Sequence, residues 1–270
     1  MKVHFDHQLF SSFRLFLDHR ITQSGQAFFN TTGRFYPAPS SRSGVYTYAC
    51  PYMGLVNDTS INGATVISGV NLNGIPINIG TSGLQEINHY KGTVSFSSQP
   101  SPANITANFS VKEVNVETST AKEDQLVFET KFFPQPKYSQ QFTGIPQNSY
   151  PLPVVFLKMR GSDMIPFSIG GADLDEKRIR AVVVSDNEFV LDGICGILKD
   201  THYRRFSLVN PPLTFRGANT GQLYNYDSLA TGVGPLIKNV SVSYIANADG
   251  IHNSYNVAFV DFKINHVRDH

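Results

Sequence analysis

The sequence predicts an α+β fold that is mainly β: an antiparallel β-sandwich or barrel-like core with an N-terminal helix, one capped helix near residues 186–199 and long loop arms. Three observations carry this. Short runs with an apolar residue at every second position recur from Glu86 to the C-terminus. Helical spacing is confined to two segments. The 21 glycines and 15 prolines, among many Asn, Ser and Thr residues, punctuate the rest with turns. A chain of 270 residues can bury a core without a disulfide or metal staple, and neither a fixed-period repeat nor a composition break divides it, so residues 1–270 read as one domain.

The first element, residues 1–24, is helical: Leu9, Phe13, Phe16, Leu17 and Ile21 recur at three- and four-residue spacing and Asp6 can cap the start. From Gln23 to about Gly83 the pattern dissolves into Gly/Pro/Ser/Asn-rich chain, with short strands at Val45–Tyr48 and Ile75–Ile77 and an extended arm over residues 31–44. Thr93–Ser97 and Ile105–Val111 alternate on either side of a Pro-bearing loop and predict a hairpin. Apolar parity switches at Lys112–Glu113, which predicts a β-bulge near Lys112. Leu126, Phe128 and Phe132 predict another strand. Pro134, Pro136 and Pro146 then exclude an interior strand, so residues 133–153 read as a second arm.

Leu152–Met159 is apolar on both faces, turns at Arg160–Asp163 and returns through Ile165, Phe167 and Ile169; Ile179–Val184 is a further buried strand. Ser185-Asp186-Asn187-Glu188 reads as a capping box opening a helix from about Asp186 to Lys199. The chain closes with a hairpin, in which Val240, Val242 and Tyr244 face Ala258, Val260, Phe262 and Ile264 across an Asn-Ala-Asp-Gly turn.

Composition excludes several functions. Lys+Arg 22 against Asp+Glu 21, with only 16% charged residues, describes neither an acidic disordered tail nor a basic nucleic-acid sleeve. No stretch approaches the roughly 18 apolar residues of a membrane span, and the charged opening MKVHFDHQLF lacks the apolar centre of a signal peptide, so a soluble chain without membrane partner is expected. The five Asn-x-Ser/Thr acceptors then carry little weight. Cys50 and Cys195 read as reduced thiols, Cys195 as a small buried residue.

Catalytic signatures are absent: no nucleophile elbow, phosphate loop, H-E-x-x-H or paired-cysteine zinc pattern occurs. His4, His7 and Asp6, or His266 and His270, have metal-like spacing but read as solvated termini. Asp173, Asp175 and Glu176 read as a charged surface turn rather than a calcium loop. Lys199 with His202–Arg205 is the most basic patch, better suited to a helix C-terminus or acidic neighbour than to nucleic acid. Loop tyrosines, among them Tyr46, Tyr48, Tyr90, Tyr150, Tyr224 and Tyr226, suit sugar faces or protein interfaces; the lack of Trp favours interfaces.

Several stretches together, Ile87–Phe96, Phe109–Val114, Leu126–Phe132, the strand and capped helix from Ile179 to Asp200, and Val257–Phe262, resemble virion structural proteins of tailed bacteriophages, of the neck or tail. The resemblance spans most of the chain from Ile87 onward and is looser before it. It implies a non-enzymatic, cofactor-free subunit of a ring-like homo-oligomer at the head–tail junction or tail, located in the virion and assembled in the host cytoplasm. Its partners would be copies of itself and other virion proteins (portal or connector, tail or collar), with room for passive contact with packaged DNA. Arms suit such a subunit because they can lie on a neighbour. Tyr46, Tyr48, Tyr138, Phe142 and Tyr150 are the expected interface side chains. The rival readings are a carbohydrate-binding or host-recognition module, whose tyrosines would converge on a groove, and a tail-associated cell-wall hydrolase, whose carboxylates or nucleophile and base would meet in a cleft.

Overall fold

A computed structural model describes residues 5–39, 43–101, 104–133, 149–166, 173–209, 221–230, 234–245 and 255–268. Helix α1 (Phe5–Ser24) buries the expected Leu9, Phe13, Phe16, Leu17 and Ile21, but Ser12, Arg14, Asp18 and Thr22 are buried as well. The helix is therefore enclosed on more than its apolar face. Ser12 and Thr22 tolerate this because their hydroxyls bond the Gln8 and Asp18 carbonyls one turn back, each at 2.7 Å.

The next seven strands form one antiparallel sheet. They are β1 (Phe28–Ala38), β2 (Tyr46–Ala49), β3 (Gly69–Leu72), β4 (Ile75–Asn78), β5 (Leu84–Asn88), β6 (Thr93–Phe96) and β7 (Ile105–Lys112), in the order β4-β3-β7-β1-β2-β6-β5. Strand β1 corrects the first expected arm: residues 31–38 lie in mid-sheet, pairing with β7 over Phe28–Phe35 and with β2 over Tyr36–Ala38. Its polar face made it read as loop. Gly33 is needed there, because a Cβ would stand 2.6 Å from the Phe109 ring that packs across the strand. Insertion of β1 and β2 also separates β6 from β7, so those strands exist but do not form the expected hairpin.

Past Lys112 the chain enters a second sheet through β8 (Asn115–Thr118). Here the parity switch is not a bulge. Phe109 and Val111 belong to the core of the seven-stranded sheet, Val114 and Val116 to the core around α1, so the switch marks the passage from one core to the other. Residues expected as a strand at 126–128 form helix α2 (Glu123–Phe128), opened by two acids and closed at its start by the Gln125 side chain accepting from Lys122 N at 3.1 Å. Strands β9 (Lys131–Phe133) and β10 (Ser149–Pro151) then make a small parallel ribbon.

The long strands β11 (Val154–Pro166) and β12 (Asp173–Ser185), followed by helices α3 (Glu188–Lys199) and α4 (Tyr226–Leu229) and strands β13 (Leu236–Tyr244) and β14 (Asn256–Arg268), complete a five-stranded sheet ordered β13-β14-β12-β11-β8. Only β8–β11 pair in parallel there. Val155, Leu157, Ile179, Ala181, Val183, Val260 and Phe262 join the cluster with α1 and α3; Val154, Phe156, Val182, Val184 and Val257 join the one with Leu126, Phe132 and Tyr150. Cover on both faces explains the unbroken apolar runs. The turn expected at Arg160–Asp163 is instead a bulge between Met159 and Gly161 within one strand. Helix α3 is capped two residues later than expected, by Asn187 Oδ1 accepting from Phe189 N at 2.9 Å, while Ser185 ends β12. The closing β13–β14 hairpin pairs as expected, its turn lying outside the described residues.

Together the antiparallel sheets form a nearly closed barrel with an N-terminal helix, an α+β fold that is mainly β. In the second expected arm, residues 149–153 pack on the body; residues 134–148 lie outside the described residues.

Candidate functional site

Where β7 hands over to β8, polar side chains from four segments meet under α1. Asp18 Oδ2 accepts from Lys112 Nζ at 2.6 Å and from the Tyr224 hydroxyl at 3.4 Å, and Lys112 Nζ also reaches Asn57 Oδ1 at 3.2 Å. Arg14 Nε donates to the Val116 carbonyl at 2.9 Å. These charges are buried and survive because each is paired. Asn57 in turn donates to the Gln222 carbonyl at 2.9 Å, which ties the stretch beyond α3 into the same seam.

A polar cavity of about 20 Å³, the size of a single water molecule, lies among Arg14, Asp18, Tyr90, Lys112, Asn115 and Glu117. Asn115 is buried and its Nδ2 has no hydrogen-bond partner among the described residues. Gly54 makes room for it: at φ +68°, a Cβ there would fall 2.0 Å from Asn115 Oδ1. Burial pushes the Glu117 carboxyl above its ordinary value, against the opposing pull of Arg14. Burial likewise raises the phenols of Tyr90 and Tyr150, with the Glu117 charge adding to both.

A second knot lies one turn along α1. His19 Nδ1 bonds Asp58 Oδ2 at 2.8 Å and its ring stacks on Tyr226 at 4.5 Å. Asp58 Oδ1 accepts from Ser60 Oγ at 2.6 Å and from the Ser60 and Tyr226 amides, each at 3.0 Å. Burial alone would raise this carboxyl; the hydrogen bonds outweigh it and hold it below the ordinary value. Nearby, His89 places Nδ1 2.7 Å from the Gly221 carbonyl and Nε2 2.8 Å from that of Ile67, clamping two loops. Chemically, the seam holds these segments together through paired polar groups. Both cysteines are buried, their thiols pushed up to about 12 (Cys50) and about 11 (Cys195) by burial, so they are poor nucleophiles.

Of the expected interface residues, Tyr46, Tyr48 and Tyr150 are described. Tyr46 is exposed on β2, but Tyr48 is buried in the sheet core against Phe96, a correction to its reading as a surface anchor. Tyr150 is half-buried, edge-on to Phe156 at 5.0 Å, and Tyr138 and Phe142 lie outside the described residues. Tyr224 and Tyr226 are buried too, so they form no open sugar groove. Asp175 and Glu176, expected on a surface turn, are buried in β12, with Lys177 Nζ bridging Asp175 at 3.1 Å and Asp6 at 2.7 Å. Phe5 stacks on His266 at 4.8 Å, while Asp6 and His7 are exposed, as the reading of a solvated start expects. His4 and His270 fall outside the described residues, among which no group of three or more His, Cys, Asp or Glu could hold a metal. In the basic patch, Tyr203 N and Arg204 O bond Ile237 and Arg205 donates to the Gly234 carbonyl, so it fastens the chain after α3 to the start of β13.

The seam was missed by sequence reading. Two signals point toward it: the parity switch at Lys112–Glu113, and Arg14 and Asp18, two charges four apart among the apolar positions of α1.

The chain matches no protein-family model, and no curated protein is significantly similar to it. No helix of the described residues is long and apolar enough to cross a membrane.

Proposed function

We propose that the chain is a non-enzymatic virion structural subunit of a tailed phage, forming a ring-like homo-oligomer in the neck, head–tail connector or tail. One observation carries the reading: large apolar side chains stand in water on both large sheets, besides others on the helices. At the outer end of the long strands, Ile165 (43% exposed) lies beside Leu174 and Leu174 beside Val267 (47%), an apolar row across β11, β12 and β14. On the seven-stranded sheet, Ile75 (66%) and Ile79 (50%) stand at the edge strand β4 and just beyond it. Apolar patches of this kind mark contact surfaces, and a ring subunit needs two different ones because it meets its neighbours head to tail.

The near-neutral charge supports packing of like copies, and the resemblance to phage neck and tail proteins supports the location. In this reading the seam is scaffolding and the partners are copies of the chain and other virion proteins, with DNA touched passively. Counting copies in purified virions by quantitative peptide mass spectrometry tests it. Several copies per particle are expected; a single copy, or none, would overturn the proposal.

A further inference from the structure

Strand β13 is one edge of the five-stranded sheet. At its start the edge is covered, since Tyr203 N donates to the Ile237 carbonyl and Ile237 N to the Arg204 carbonyl, both at 2.9 Å. Among the described residues nothing pairs with the outer side of Asn239–Tyr244. Which groups face outward follows from the ladder. Ile245 N donates to the Val257 carbonyl at 3.1 Å, and in an antiparallel pair alternate residues bond the same neighbour. Ser241 and Ser243 therefore face β14, and Val240, Val242 and Tyr244 direct their N–H and C=O groups away from the sheet.

Edges of this kind are normally blunted by proline, charge or a bulge. Here Lys238–Tyr244 has no proline and a single charge, at its beginning, and the bulge between Ile237 and Asn239 precedes the open part.

We propose that this edge is an interface whose occupant is the same strand of a second copy, antiparallel about a two-fold axis at Val242. That register sets Val242 against its own counterpart and Val240 against Tyr244 of the second copy, so all outward main-chain groups pair. It also matches side chains. Val240 and Val242 pack from the sheet toward the cluster under α3, and Tyr244, two residues on along the strand, shares their face, its phenol raised by desolvation and by nearby Asp192 of that helix. Each Tyr244 ring would meet a β-branched Val240 across the axis, a favourable pair, while Ser241 and Ser243 hydroxyls meet on the other face. Antiparallel pairing brings the Lys238 end of one strand to the Asp192 end of the other, so charge is complementary too. The contact is separate from the ring reading, which needs a head-to-tail contact elsewhere, and stands without it.

Sedimentation velocity of the full chain tests the proposal. One strand pair is a small interface, so dimers are expected at about 100 µM protein and dissociation on dilution. Val242→Pro removes an outward N–H without touching the β14 ladder; it should abolish the dimer with an unchanged circular dichroism spectrum. Val242→Cys keeps the strand intact: its Cα atoms would face each other at about 5.5 Å, within disulfide reach, so mild oxidation should trap a covalent dimer that Asn239→Cys does not form. A wild type that is monomeric at that concentration, a Val242→Cys chain that does not cross-link, or a folded Val242→Pro chain that still dimerises would each overturn it. Rings that persist in Val242→Pro while two-fold dimers vanish support it and leave the ring reading standing; rings absent from every variant, with dimers present, count against the ring alone.

Discussion

The two sheets bury their strands in different ways. In the seven-stranded sheet most strands are short, and burial alternates in β6, where Val94 and Phe96 are buried while Thr93 and Ser95 are not; only at the end of β7, where the chain enters the seam, are four residues in a row, Phe109–Lys112, buried. In the five-stranded sheet β11 and β12 are long, and the five residues Ala181–Ser185 are all buried because α1 and α3 cover one face and α2 with the β9–β10 ribbon covers the other. The first half has one apolar core, the second has two, and the charged seam of Arg14, Asp18 and Lys112 lies where the halves meet. Sequence alternation therefore reports how many sides of a strand are covered, and a parity switch can report a change of core.

The largest expected effects break one half and leave the other. Phe109→Ala and Phe262→Ala each remove a fully buried ring and should cost about 4 kcal/mol in urea unfolding. If the halves are distinct, hydrogen exchange in Phe109→Ala will speed in β1 and β7 while β12 and β14 stay protected, and the pattern will reverse in Phe262→Ala. Uniform loss of protection in both would show one cooperative unit. Next comes the seam: Asp18→Ala strands the Lys112 ammonium in the interior and should cost about 3 kcal/mol, most of it recovered when Lys112→Met is added. Asn187→Ala, which removes the α3 cap, should cost about 1 kcal/mol.

The smallest effects are pH-dependent and of opposite sign. Burial, aided by the Lys112 charge, holds His89 below its ordinary 6.5, so the folded chain binds fewer protons there and stability should fall as pH drops through that value; His89→Gln should flatten the fall. Glu117 is raised above 4.5, so its favourable contribution is full below that value and lost as pH rises through the raised one; Glu117→Gln should therefore stabilise the chain at neutral pH. Midpoints of urea unfolding across pH check both signs.

Legibility followed the same division. Helices α1 and α3 and strand β14 are readable because their periods repeat, and the buried halves of β11 and β12 because their apolar runs are unbroken; the outer halves, which read as a turn at Arg160–Asp163 and a charged surface turn from Asp173, are not. Helix α2 was not: Leu126, Phe128 and Phe132 fit a strand as well as a helix, and Phe128 is in fact 61% exposed. Strand β1 hid behind polar residues, since Asn30 and Thr32 bond Gly63 and Asn108 rather than showing apolar alternation. The β6–β7 hairpin failed because proximity in sequence cannot reveal that a distant strand intervenes. Of the seam, the sequence singles out Lys112, through the parity switch, and Tyr224, as a loop tyrosine, without joining them; Arg14, Asp18, Asn57 and Glu117 come from distant segments that only the fold brings together.

An assembly subunit shows itself in its mass, and the mass of the purified full chain in solution is therefore the most direct test of the proposed function. Native mass spectrometry of the wild type should show a discrete closed homo-oligomer, and Ile165→Glu with Val267→Glu, which charge the apolar row at the strand tips without touching the core, should reduce it to monomers or two-fold dimers with an unchanged circular dichroism spectrum. A wild type that stays monomeric at every concentration, or an oligomer indifferent to those two charges, would contradict the account.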